Sequence, residues 1–296
     1  MGKKLTIVVT CTDRKSRQPS AVLRAGSLPE GDGPSRARLW KKRLSDAPER
    51  VSLKDLYQGE AWTQSGRLVA AVEASGIAVR VLVASAGLGL QPVRGRFPAY
   101  AATFSPRHPD TVGVDLAERQ IWWQEINGLL GGRSLGLVKG PVMVVLSDAY
   151  SKVLERDLEA LTNRNPEVTM FGAHRDFSSA TTIRSDKSLR SSLGGTVTSL
   201  NQRMAIQWLS LRPRGDALGS ARHAHAWRQW VSEEQRPEIY DRQRMDDQAV
   251  AAWIRRARKT DPGLSGTAAL SLLRSEGFAC EQKRFKALFD RTGRAA

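Results

Sequence analysis

The chain has 296 residues, with 46 Lys+Arg against 30 Asp+Glu, giving a net charge of +16 and a pI near 10.5. At 41% hydrophobic it can bury a real core, which excludes wholesale disorder. No stretch approaches the roughly 20 apolar residues of a bilayer span, and the start, MGKKLTIVVTCTDRK, has no apolar leader region.

In chain order, residues 1–50 carry twelve Lys/Arg and five Asp/Glu, densest at Arg36, Arg38, Lys41, Lys42 and Arg43. Within them LTIVVT (5–10) reads as a first buried strand that ends in CTDRK. Residues 18–50 and 91–113, rich in Gly, Pro and Arg, read as long connections, which are functional or disordered in compact domains. Further strands are expected at 79–84 (VRVLVA), 141–146 (PVMVVL) and 168–172 (VTMFG), with helices at 66–75, 116–130 and 151–161. Alternating strands and helices predict an α/β domain over 1–212, built on a central, mostly parallel four-stranded sheet flanked by helices. Working groups in such sheets collect beyond the carboxyl ends of the strands. Those ends read CTDRK, SAGLGL, SDAYS and AHRDFSS. Residues 174–214 again lean basic, with seven Arg/Lys to two Asp.

From 213 to 296 the pattern turns helical, with Trp227, Trp230 and Trp253 on amphipathic segments. Ser265 is suited to cap a helix over 266–276, Gly277 to follow its end, and a second helix spans 280–289. Gln282, Lys283 and Lys286 project from the face opposite Phe285, Leu288 and Phe289. Two short helices with a Gly turn fit a helix-turn-helix-like DNA reader or, equally, a hairpin closing a core.

Cys11 and Cys280 lie at opposite ends of the chain, which fits a reduced, cytoplasmic protein and excludes a cysteine-built zinc site. With only four histidines, no metal and no cofactor is expected. No Walker loop, GxGxxG, HExxH, GxSxG or kinase signature is present, and paired metal-binding carboxylates of a nuclease are missing. The charge points to DNA as partner, with a merely basic cytosolic protein as the alternative, and to no membrane. Asp13 can orient water or stabilise a cationic sugar, or it caps a turn or pairs with Arg14 or Lys15. His174 can stabilise a departing anion, or is a satisfied structural residue. Tyr57, Tyr100 and Phe104 stand outside clear helical periodicity and are candidates for stacking on a base, or for packing.

The order of these features, an acidic turn after strand one and a His turn after the last strand, resembles the uracil-DNA glycosylase superfamily. The run from His174, HRDFSSATTIRSDKSLRSSLGGTVTSLNQRMAIQWL, is similar to its His motif, DNA-facing loop, small-residue segment and Asn-bearing helix. VVLSDAYSKVL resembles its third-strand segment, which places Ser147 and Asp148 at the base pocket. Separately, LYQGEAW…VLVASAGLGL…PAYAATFS is similar to an uncharacterised family of small α/β proteins from base-exchange and phage-defence neighbourhoods. Together these resemblances span residues 5–210. The usual Gly-Gln-Asp-Pro-Tyr is absent and only Asp13 carries over; Arg-Asp follows His174 where the superfamily has Pro-Ser-Pro.

The resemblance implies excision of a flipped-out base, with catalytic Asp13 and His174. Tyr57, Ser85, Gly87, Tyr100, Phe104, Ser147 and Asp148 would line the pocket, and Arg14, Lys15, Arg175, Ser178, Arg190, Asn201, Gln282, Lys283 and Lys286 would hold DNA. Ser85, Ala86, Gly87 and Gly89 replace the superfamily's uracil-reading Asn, so a wider pocket and a bulkier base, such as glucosylated hydroxymethylcytosine in phage DNA, are implied. With no lysine placed as a Schiff-base nucleophile, a monofunctional enzyme leaving an abasic site and acting in antiviral defence is expected. A base-exchanging transglycosylase on tRNA or DNA, and a non-catalytic DNA-binding protein, are the alternatives.

Overall fold

The computed structural model describes residues 4–213, 215–236 and 242–292, which form two compact units, 1–236 and 237–296. Among the described residues no helix is long and apolar enough to cross a membrane.

The first unit is α/β. Its strands are β1 (Lys4–Thr10), β2 (Ala78–Ser85), β3 (Gly89–Pro92), β4 (Val142–Val145), β5 (Val168–Phe171) and β6 (Ala180–Ile183). They form one sheet in the order β3-β2-β1-β4-β5-β6, parallel throughout except for the antiparallel β2–β3 hairpin. The four expected strands are present, but the sheet has six. β3 arises because Ser85 pairs with Gly89, and Gly89 adopts φ +71°, a left-handed turn that glycine accepts without strain. β6 lies parallel to β5 after only the eight residues 172–179, so the loop bearing His174 connects two strands instead of following the last one.

The principal helices of this unit are α1 (Gly33–Asp46), α2 (Glu60–Ala74), α3 (Leu116–Leu129), α4 (Asp148–Val153), α5 (Glu155–Thr162), α6 (Leu200–Ser210) and α7 (Ala221–Glu234). Residues 18–50 are therefore not a plain connection. The Asp32 carboxylate accepts from Ser35 N at the start of α1, Pro34 sits in its first turn, and Ala37, Trp40 and Leu44 bury one face. β1 is buried at Leu5, Thr6, Ile7, Val8 and Val9, successive residues that point to alternate faces, so the sheet is covered on both sides. Helices α1 and α3 pack together, as do α2 and α6.

Helix α7 belongs to this unit: Trp227 joins its core and packs edge-on against Trp208 at 5.8 Å. The expected boundary at 212/213 thus moves to 236/237, because the aromatic face of α7 continues the α/β core.

The second unit is helical, with α8 (Asp247–Thr260), α9 (Gly266–Ser275) and α10 (Gln282–Thr292) around Val250, Trp253, Leu273, Phe285 and Leu288. Ser265 caps α9 through Ala268 N, and Gly277 follows it at φ +86°.

Candidate functional site

After β1 the chain builds β2 and β3 on one side and then returns past β1 to build β4 on the other. The crevice between β1 and β4, beyond their carboxyl ends, is where open α/β sheets bind ligands. The residues leaving β1 there are Cys11, Thr12, Asp13, Arg14 and Lys15. They are pinned from below by the segment before α2: Ser16 N donates to Leu56 O at 2.8 Å and Gln58 N to Arg14 O at 2.9 Å. Cys11 Sγ lies 3.1 Å from the Tyr150 hydroxyl, fastening the end of β1 to α4.

The Lys15 side chain folds back over its own loop. Its Nζ donates to the carbonyls of Thr12 (3.2 Å) and Asp13 (3.1 Å) and sits over two rings, 4.6 Å from the centroid of Tyr100 and 5.7 Å from that of Tyr57. The two phenols meet at 2.5 Å, and Ser85 Oγ bonds the Tyr100 hydroxyl as well. Burial drives the phenol pKa values of Tyr57 and Tyr100 well above the ordinary value and lowers that of Lys15, against the pull of Cys11, Asp13 and Asp110. A hydroxyl chain, a thiol and an ammonium therefore share one confined space at the sheet's switch point.

Of the expected base-pocket residues, Tyr57, Ser85, Gly87, Tyr100 and Phe104 converge on this cluster, but as its interior. Tyr57 is 2% exposed and Tyr100 0%, so neither offers an open face for a base. Gly87 does not widen a cavity: a Cβ there would fall 2.5 Å from the Tyr100 ring, and its carbonyl accepts from Trp40 Nε1. Phe104 is fully buried against Tyr150 (4.8 Å between centroids) and Trp123. Ser147 and Asp148 are exposed at the start of α4, Asp148 pairing with Lys152 at 2.8 Å.

Asp13 is exposed and, among the described residues, its carboxylate neither caps a helix nor makes an ion pair with Arg14 or Lys15, although its backbone carbonyl accepts from Lys15. Arg14 is exposed beside it. His174 is differently placed. Its Nδ1 meets Ser151 Oγ at 2.8 Å, its Nε2 faces Glu155 at 3.3 Å, and its backbone N–H donates to Ser151 Oγ at 3.0 Å. Ser151 is wholly buried, so this Ser–His–Glu chain is a strut without an exposed nucleophile. Arg175 completes the strut by bonding Glu155 (2.5 Å) and Glu159, and that hydrogen bond holds the Glu155 carboxyl below its usual range. Arg175 and exposed Ser178 edge an open hollow of about 440 Å³ with Phe177 and Asp176. The two motifs share a single helix, since Tyr150 of α4 holds Cys11 and the next residue, Ser151, holds His174.

Asn201 is structural as well: its Nδ2 donates to Leu146 O at 2.7 Å and its Oδ1 accepts from Ser185 Oγ at 2.7 Å. Arg190 is half-buried in the single turn Arg190–Leu193. In the second unit Gln282, Lys283 and Lys286 are exposed on α10, Lys286 pairing with Asp290 at 2.7 Å.

Three partners escaped the sequence. In the sequence Cys11 bears only on redox compartment and on a zinc site, and Tyr150 is only the aromatic within VVLSDAYSKVL; neither announces their contact. Glu60, at the start of α2, binds Ser199 Oγ (2.8 Å), Arg203 (2.7 Å) and Thr196 N, and these bonds overcome the opposing effect of burial to hold its pKa at about 2. Among the described residues no group of three or more His, Cys, Asp or Glu is placed to hold a metal ion.

No protein-family model, curated protein or solved structure matches the chain.

Proposed function

We propose that the chain is a DNA N-glycosylase that hydrolyses the bond between deoxyribose and a flipped-out modified base, and that it serves antiviral defence; the packed floor at Gly87 removes the argument from pocket width for a bulky, glucosylated base. The observation that supports this reading best is Asp13: an exposed carboxylate without a hydrogen-bonding side-chain partner among the described residues, at the switch point, beside an ammonium held by carbonyls and aromatic rings. Breaking an N-glycosidic bond develops positive charge on the sugar and negative charge on the base. A carboxylate with free lone pairs suits the first and a confined ammonium the second.

The roles differ from those the superfamily resemblance implies. Lys15, not His174, faces the departing base, because both His174 ring nitrogens are engaged. Tyr57 and Tyr100 form the floor that holds Lys15. His174 braces the fold by bonding Ser151 on α4, beside the Tyr150 that bonds Cys11. The helix pair α9–α10, with Gln282, Lys283 and Lys286 outward, serves as a helix-turn-helix-like grip on the duplex. Binding energy gained on phosphates offsets the few kcal/mol needed to extrude a base.

The test is incubation with phage DNAs of different base modification, followed by mass spectrometry of released bases. The expected result is release of one modified base by the wild type and none by Asp13→Asn, with DNA binding retained. Undiminished release by Asp13→Asn overturns the role of Asp13; release from no substrate overturns the enzyme.

One observation favours a second reading, a DNA-binding protein without catalysis: the outward polar face of α10 needs no crevice to act. It predicts salt-sensitive binding and unchanged DNA at any incubation time.

A further inference from the structure

We infer that Lys15 is a Schiff-base nucleophile, so that the protein also captures the abasic deoxyribose as an imine and cuts the strand on its 3′ side. This deepens the glycosylase reading and rests on it for the origin of the abasic sugar. A lysine ammonium has three donors. At Lys15 two of them are spent on the Thr12 and Asp13 carbonyls. Loss of the third proton leaves both hydrogen bonds intact and puts a lone pair where that proton was. Among the described residues no carboxylate lies at ion-pair distance from Lys15, and burial favours the neutral amine over the opposing pull of Cys11, Asp13 and Asp110 and of the two ring faces. The Lys15 backbone bridges to Tyr57 and the loop is tied to residues 56–58, which fixes where the side chain begins, and the two carbonyl bonds place its Nζ.

The chemistry closes on the chain's own groups and water. The Lys15 ammonium gives its third proton to the departing base. Water adds to the sugar cation and gives a proton to the Asp13 carboxylate, and the sugar ring opens to the C1′ aldehyde. The neutral amine attacks that aldehyde, and the carbinolamine takes the proton back from Asp13 and loses water to form the protonated imine. The Asp13 carboxylate removes a proton from C2′; the freed electron pair forms the C2′–C3′ double bond as the C3′–O bond breaks and the 3′-phosphate leaves. Water then hydrolyses the imine, restoring the lysine and releasing an unsaturated aldehyde on the other strand end. No oxidant or reductant is consumed.

The experiment uses the full chain and a duplex carrying one preformed abasic site, with cyanoborohydride present to reduce any imine to a stable amine. The expected result is a covalent protein–DNA adduct that maps to Lys15 by peptide mass spectrometry, and, without reductant, a single-strand nick. Lys15→Arg keeps a cation over Tyr100 but forms no stable imine, and is expected to lose both adduct and nick. No adduct with the wild type, or an adduct mapping elsewhere, overturns the inference even if the variant folds poorly. Because the abasic site is supplied, the two readings fail separately. Base release without trapping refutes the role of Lys15 alone, whereas trapping without release from any modified DNA refutes the glycosylase and leaves Lys15 standing.

Discussion

Gly87→Ala separates a pocket from a packed floor at the centre of the site. If the small residues of SAGLGL exist to admit a bulky base, one added methyl narrows the pocket and leaves stability unchanged. The structure predicts the opposite. The new Cβ would lie 2.5 and 2.6 Å from two Tyr100 ring carbons and 3.2 Å from the Ala102 Cβ. Favourable carbon contacts lie near 3.5–4.0 Å, so the overlap is about 1 Å. Tyr100 cannot swing aside cheaply, because its hydroxyl is bonded to both Tyr57 and Ser85 and its ring lies under Lys15. Overpacking of a tight core costs roughly 1–3 kcal/mol, and a ring so tethered belongs at the top, about 3 kcal/mol. That is about a hundredfold in the unfolding constant, or a drop of roughly 1 M in urea midpoint for an m-value near 3 kcal/mol/M. Tryptophan fluorescence reads the correct unit, since seven of the eight tryptophans precede residue 237. Gly66→Ala is the internal control: a Cβ there meets nothing within 4 Å, and the exchange inside α2 should raise stability by roughly 0.5–1 kcal/mol. An unshifted midpoint for Gly87→Ala would refute the packed floor.

Acid unfolding should report Glu60. Its carboxyl is held at about 2 in the fold against 4.5 unfolded, so its contribution is complete above about pH 4.5 and drains as pH falls towards 2. Glu60→Gln should therefore be less stable at pH 6, with the two curves converging in acid; a constant gap from pH 6 to pH 2 would count against the network. Lys283→Ala should reduce the slope of log K against log salt for DNA binding by about 1, and Lys286→Ala by less, since Asp290 already shares its charge. An unchanged slope for Lys283→Ala would remove α10 from the interface. His174→Ala should cost about 1–2 kcal/mol of stability through its broken bond to Ser151, while base release per folded molecule persists. Full stability with release abolished would return His174 to the chemistry.

The parts of the fold legible in the sequence were those written as continuous apolar runs. LTIVVT, VRVLVA, PVMVVL and VTMF are strands because a sheet covered on both sides demands such runs. Helix α1 escaped because Arg36, Arg38, Lys41, Lys42 and Arg43 made the segment read as charge, although its cap and the spacing of Ala37, Trp40 and Leu44 were present. Strand β6, ATTI, escaped because a half-buried edge carries little apolar signal. The candidate site divides the same way. Tyr57, Ser85 and Tyr100 could be flagged singly by type, but their joining across 43 and 15 residues depends on the β2–β3 hairpin, which the Gly-rich run did not announce. Lys15 looked like one more phosphate contact among many. Only the two carbonyls and two rings around it mark it as different in kind.

The charge itself must also be divided by what it does. Arg175 is spent on Glu155 and Glu159, Arg203 on Glu60 and Arg284 on Asp247, so several cations that appear free in the sequence brace the fold. Each such pair cancels one charge of each sign, which leaves the net +16 intact as a long-range field. Residues 237–296 hold twelve Lys/Arg and eight Asp/Glu, a net +4, leaving +12 to the first 236 residues. The helical unit therefore cannot account for most of the attraction to a polyanion. The α/β unit carries both the larger share of the field and the crevice where Asp13 and Lys15 stand. On the proposed reading attraction and chemistry fall on the same body, and Asp13→Asn shifts the net charge by a single unit while Lys15→Arg leaves it at +16. Loss of base release or imine capture on such a change would be a statement about chemistry, not about weakened binding.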